Sequence, residues 1–118
     1  MTWYQKAEEA ARNHPSIVAL RSRAAQSRQQ SNDFLNNSVA SMCQHEKEAD
    51  FAERTAKLLE MELIAKAGVA AGEYKSYLVG RHRDHGAYVQ VETDQGWNPD
   101  YFWCENPSEK TIGEGVYL

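Results

Sequence analysis

Proline and glycine are missing from the whole of Ser16–Ala67. Without them nothing in that stretch forces a turn or breaks a helix. Cysteine is scarce as well. Cys43 and Cys104 cannot make a disulfide framework, so two free thiols in a reducing, cytoplasmic setting are expected. No apolar run approaches the ~18–20 residues needed to cross a bilayer. No basic-then-apolar leader precedes the first helical pattern, so no secretory signal is expected. A Gly-rich phosphate loop, a nucleophile elbow and an HExxH helix are all absent. A basic excess is absent too: the net charge is −4, which gives no whole-molecule attraction to nucleic acid.

What fills the glycine-free stretch is helical spacing. Ile17, Leu20, Ala24, Phe34, Leu35, Val39, Met42, Ala49, Ala52, Ala56, Leu59 and Leu63 recur mostly at gaps of three, four or seven. This predicts one long helix over about 16–67 or an antiparallel helical hairpin. Ser31-Asn32-Asp33 and Asn36-Asn37-Ser38 form helices poorly, and Ser41 with Gln44 repeats a capping spacing. These favour a break near 36–40. The unbroken spacing of Leu35, Val39 and Met42 favours continuity. A continuous rod would run ~78 Å at 1.5 Å per residue, too long to bury its stripe inside one small domain. A second copy would then cover it. A homodimer is therefore expected, with Leu20, Phe34, Leu35, Val39, Met42, Leu59 and Leu63 at its interface. Charge favours an antiparallel pairing, from a hairpin or equally from two rods crossing at their centres: residues 12–30 carry Arg12, Arg21, Arg23 and Arg28 and no acid, whereas 46–62 are mainly acidic. Such pairs select an orientation more than they add stability.

On either side the patterns change. Thr2 and Gln5 have capping-box spacing for a short helix within 1–14, with Trp3, Tyr4, Ala7, Ala10 and Ala11 on one face. Pro15 ends it and can open the next helix. The long element, 15–71, stops at Ala67-Gly68 or Ala71-Gly72. From Tyr74 the period becomes two. Ser76–Gly80 and Tyr88–Glu92 read as strands joined by Arg81–Gly86. Asp94-Gln95-Gly96 reads as a turn with glycine at positive φ. Trp97–Asp100 reads as further turn, Tyr101–Cys104 as a third strand and Val116–Leu118 as a short fourth. The 118 residues thus predict a single α+β domain: a short helix, a long helical element, and a β-rich tail (74–118) folded as a small antiparallel meander.

Three constellations bear on function. His82, Asp84 and His85 at a hairpin tip, with Cys104 near, offer zinc-ligand types or an acid/base pair. Their spacing fits no finger, and Cys43 with His45 falls on different faces of a helix, so neither metal nor cofactor is expected. Arg12, Arg21, Arg23 and Arg28 offer phosphate contacts, weakened by the acidic balance. The acidic-aromatic run Trp97, Asp100, Tyr101, Trp103 and Glu105 alternates across a strand. One side packs inward, and the other leaves rings in water beside carboxylates, a surface suited to a protein partner or to stacking against a sugar. The reading reached is a non-enzymatic, cytoplasmic, acidic interaction module. It binds a partner with a basic site, and it blocks or inhibits that partner. A His82–His85 enzyme and an arginine-face nucleic-acid binder are the alternatives.

Overall fold

A computed structural model describes residues 2–31 and 39–106, with side chains for 2–29 and 43–106. Its elements are α1 (Trp3–Arg12), α2 (Pro15–Ser31), α3 (Val39–Ala70), β1 (Ser76–His82), β2 (Gly86–Thr93), β3 (Gly96–Trp97) and β4 (Trp103–Cys104). The fold is α+β: three helices, then a small antiparallel sheet. The long stretch is two helices and not one rod. Residues 32–38 lie outside the described residues, Phe34 and Leu35 among them, as do the side chains of Val39 and Met42. Val116–Leu118 is also outside. Among the described residues no helix is long and apolar enough to cross a membrane.

The chain divides into two compact units, Met1–Ala11 with Leu58–Leu118, and Arg12–Lys57. In the second unit, α2 packs against the first part of α3. Ala24, Ala49 and Ala52 are buried together, with Leu20 packed on them. Alanine at these positions lets two helices approach closely. Pro15 sits at the first position of α2, and His14 caps it. Its carbonyl accepts from Ile17 N at 3.0 Å, and its Nδ1 accepts from Ser16 N at 3.2 Å. The charge pattern shows in Arg28, which pairs with Glu53. That hydrogen bond, together with the fields of Glu46 and Asp50, raises the Arg28 pKa.

The first unit is built on rings. The capping box at α1 forms as expected: Gln5 N donates to Thr2 Oγ1 at 3.2 Å and Thr2 N to Gln5 Oε1 at 3.1 Å. Trp3 meets Tyr74 edge-on at 5.8 Å. Tyr74 meets Phe102 at 6.0 Å, and Phe102 meets Tyr4 at 6.3 Å. Each such pair adds about 0.5–1.5 kcal/mol beyond the area it buries. Ala10, placed on the inner face by spacing, is exposed. Leu59 and Leu63 are half-buried, while Ile64, Met61 and Glu60 take the deepest positions.

The helix α3 runs through Gly68 and stops at the second of its two expected ends. Gly72 adopts φ 82°. Gly72 N donates to Val69 O at 3.1 Å and Glu73 N to Gly68 O at 2.9 Å, which is the paired closure of a Schellman cap. Glycine at 68 answers a different need. A Cβ there would stand 2.6 Å from the Tyr74 ring and 2.8 Å from the Trp3 ring.

The sheet has β2 at its centre. β1 pairs along its length, from Ser76 opposite Glu92 to His82 opposite Gly86. On the other side β3 and β4 pair with β2 at two residues each. Ala87, Val89 and Val91 are buried, so alternation along β2 assigns one face to the core. Three details differ from the sequence reading. Arg81, His82 and Gly86, read as loop, belong to β1 and β2, because the two strands stay paired to the tip. The third strand is only Trp103–Cys104, and Gly96–Trp97, read as turn, pairs as a strand. The hydrogen bonds that hold Trp97 and Asn98 to β2 are supplied by the partner strand, not by local chemistry.

Candidate functional site

Trp97 stands where β2 turns back on itself. Gly96 takes φ 100°, and Thr93 Oγ1 accepts from Gln95 N and donates to Gly96 O, both at 3.3 Å. Register then sets Trp97 opposite Glu92, so both side chains emerge on one face of the sheet. Asn98 locks the exit: its N donates to Val91 O at 3.0 Å and its O accepts from Gln90 Nε2 at 2.7 Å. Its Oδ1 accepts from Asp100 N at 3.1 Å. Trp97 is 43% exposed on this tied-down backbone, and it lines a hollow of about 290 Å³ with Thr93, Gln95, Gly96, Asn98 and Pro99.

Three carboxylates lie close to Trp97 in register or along the chain. Glu92 shares its face and accepts from Ser76 Oγ at 3.1 Å. Asp94 lies in the turn, 3.8 Å from Lys75 Nζ, both well exposed. Asp100 is half-buried three residues on. A large aromatic face in an acidic setting is the arrangement that attracts a cation.

The other residues of the expected surface are placed differently. Tyr101 is stacked on Tyr88 at 4.6 Å and meets the edge of His85 at 5.6 Å. Burial first, then Tyr88 and Cys104, raises its pKa above the usual tyrosine value. Trp103 is half-buried and opposite Val89, which is fully buried. Glu105 is anchored through its backbone, N donating to Ala87 O at 2.9 Å. Register thus sets Trp97 beside Glu92, with Asp94 and Asp100 on either side of it in the chain, while Tyr101 belongs to a separate row of rings. Gln95 and Asn98 were not singled out from sequence. The Asn-Pro pair signalled a turn, and only the β3 pairing shows that the turn shapes a hollow.

The histidine tip has defined chemistry of its own. His82 Nδ1 accepts from Asp84 N at 3.0 Å. His85 Nδ1 lies 3.0 Å from Asn106 O, and a carbonyl only accepts, so that nitrogen carries the proton. The rings lie 4.8 Å apart. Among the described residues no three His, Cys, Asp or Glu side chains gather as a metal site. Cys104 is buried and Cys43 exposed. His45 Nδ1 is 3.9 Å from Glu48 Oε2, beyond hydrogen-bond reach. Of the arginines, Arg28 is committed to Glu53.

No protein family, curated protein or solved structure matches the chain.

Proposed function

We propose that the protein is a non-enzymatic interaction module that takes up a basic segment of a partner protein, with an arginine or lysine side chain seated on Trp97. The observation that carries this reading is the exposed indole in its hollow, opposite Glu92 and with Asp94 and Asp100 on either side in the chain. A cation over an indole contributes about 0.5–2 kcal/mol, depending on how far it is desolvated. The rigid turn lowers the cost of ordering the site. Occupying a basic site on a larger macromolecule also closes that site to its own ligands, so inhibition is the consequence of binding.

Selection from a random peptide-display library tests this. Sequences rich in Arg or Lys should be enriched, and binding should weaken about 5- to 30-fold in Trp97→Ala, the equivalent of about 1–2 kcal/mol. No enrichment, or enrichment that ignores Trp97→Ala, contradicts the reading.

Self-association is a separate part of the proposal. Phe51 and Val18, 66% and 47% exposed, are apolar side chains of the helical unit that a second copy could cover. Against it stands the seam of Ala24, Ala49 and Ala52, which Leu20 closes within one chain. Sedimentation velocity decides: a concentration-independent monomer removes the dimer.

A further inference from the structure

The outer edge of β1 is a second feature of the sheet, distinct from the Trp97 hollow. Among the described residues the seven-residue strand Ser76–His82 pairs with β2 alone. An unpaired edge offers a row of backbone donors and acceptors to an incoming strand. Tyr77, Val79 and Arg81 stand opposite Val91, Val89 and Ala87, so they share one face of the sheet. Val89 is fully buried on that face, yet Val79 is 40% exposed. The core therefore stops short of the edge and leaves an apolar step there. Arg81 and Arg83 are exposed, and among the described residues neither forms an ion pair. From Lys75 to Arg83 the chain carries no acid, in a protein whose net charge is −4.

We infer that the β1 edge accepts an extended acidic segment of a partner protein as an added strand, with an acid opposite Arg81 and an aliphatic side chain opposite Val79. Main-chain bonds supply affinity in this mode, and alternate side chains supply specificity. The occupant's chemistry follows from the edge. Positive side chains commonly guard edges against pairing, and they repel strands of like charge. The same charges select an acidic strand. A second copy of β1 is disfavoured by this logic: antiparallel self-pairing centred on Val79 sets Lys75 against Arg83 twice. Acid and aliphatic groups must stand two positions apart, because Arg81 and Val79 do and strand side chains alternate.

The test uses the full chain and a nine-residue synthetic peptide with glutamate and valine two positions apart and serine between them. Chemical-shift changes on titration should centre on β1 amides and leave Gln95–Asn98 unmoved. N-methylation of alternate peptide amides should abolish binding. Arg81→Glu, an exposed change that leaves the core intact, should weaken binding at least 10-fold, and a peptide with lysine in place of glutamate should recover it. Shifts elsewhere, or binding indifferent to N-methylation or to Arg81→Glu, overturn the inference. Concentration-dependent dimerisation that protects β1 without peptide overturns it too, in favour of self-pairing. None of these outcomes depends on Trp97, so this inference and the reading of the hollow stand or fall separately.

Discussion

The two units of this chain solve the same problem with opposite materials. The unit of Arg12–Lys57 closes a helix pair with Ala24, Ala49 and Ala52. Close approach does much of the work there, and among the described residues Ile17 is the largest buried side chain of that unit. The other unit packs Trp3, Tyr4, Tyr74 and Phe102 ring on ring under a sheet whose centre, Val89 and Val91, is fully buried. Burial scales with apolar area at about 25 cal/mol per Å², so the ring-built unit should be the more resistant to opening. The exposed indole and the free strand edge both belong to it. On the proposed reading, both recognition surfaces sit on the unit expected to resist opening more.

Four perturbations probe that contrast, in descending order of effect. Phe102→Ala removes the ring that joins Tyr4 to Tyr74 and should cost about 3–5 kcal/mol in urea unfolding. A cost below about 1 kcal/mol would deny the ring cluster its central place. Gly68→Ala should cost about 1–3 kcal/mol through collision with two rings, despite the helical preference for alanine of about 0.5–1 kcal/mol. Stabilisation would show that the rings stand further off. In the alanine unit, Ala52→Gly should cost about 1–2 kcal/mol, from one lost methyl and weaker helix propensity. Arg28→Gln should be smallest, its effect fading with added salt because the pair is exposed.

Alkaline titration separates the units differently. Burial raises the pKa of Tyr74 and of Tyr101 above 10.0. A raised pKa means that the folded state holds the phenolic proton more tightly than the unfolded state does. The resulting stability is complete below pH 10.0 and is lost as pH rises through the folded values. Both residues lie outside Arg12–Lys57, so the ring-built unit should be the one to lose stability at high pH. Tyrosinate absorbance with circular dichroism checks this, and a helix loss that precedes tyrosine ionisation would contradict it.

Much of this architecture is legible in the sequence, because local rules and tertiary packing agree there. Thr2 with Gln5, Pro15 after His14, and Ala71-Gly72 mark helix ends by backbone chemistry alone. Val89 and Val91 mark the buried face of β2 by alternation. Other features depend on partners distant along the chain. Leu59 and Leu63 have core spacing, yet Glu60, Met61 and Ile64 are deeper, because the part of α3 beyond Leu58 packs in another unit from the part before it. Gly80 reads as an ordinary strand residue until register brings the Tyr88 ring over it, 2.6 Å from where a Cβ would stand. Trp97 reads as turn until β3 pairs with Glu92. Of the five residues expected to bind, Tyr101 looks free by alternation, but the row from His82 to Tyr88 claims its ring.

Amide hydrogen exchange with and without a display-selected basic peptide tests the central claim most directly. The account predicts slowed exchange at Gln95–Asn98 and Asp100, with residues 12–57 unchanged. Protection confined to the helical unit, or protection nowhere, would contradict it.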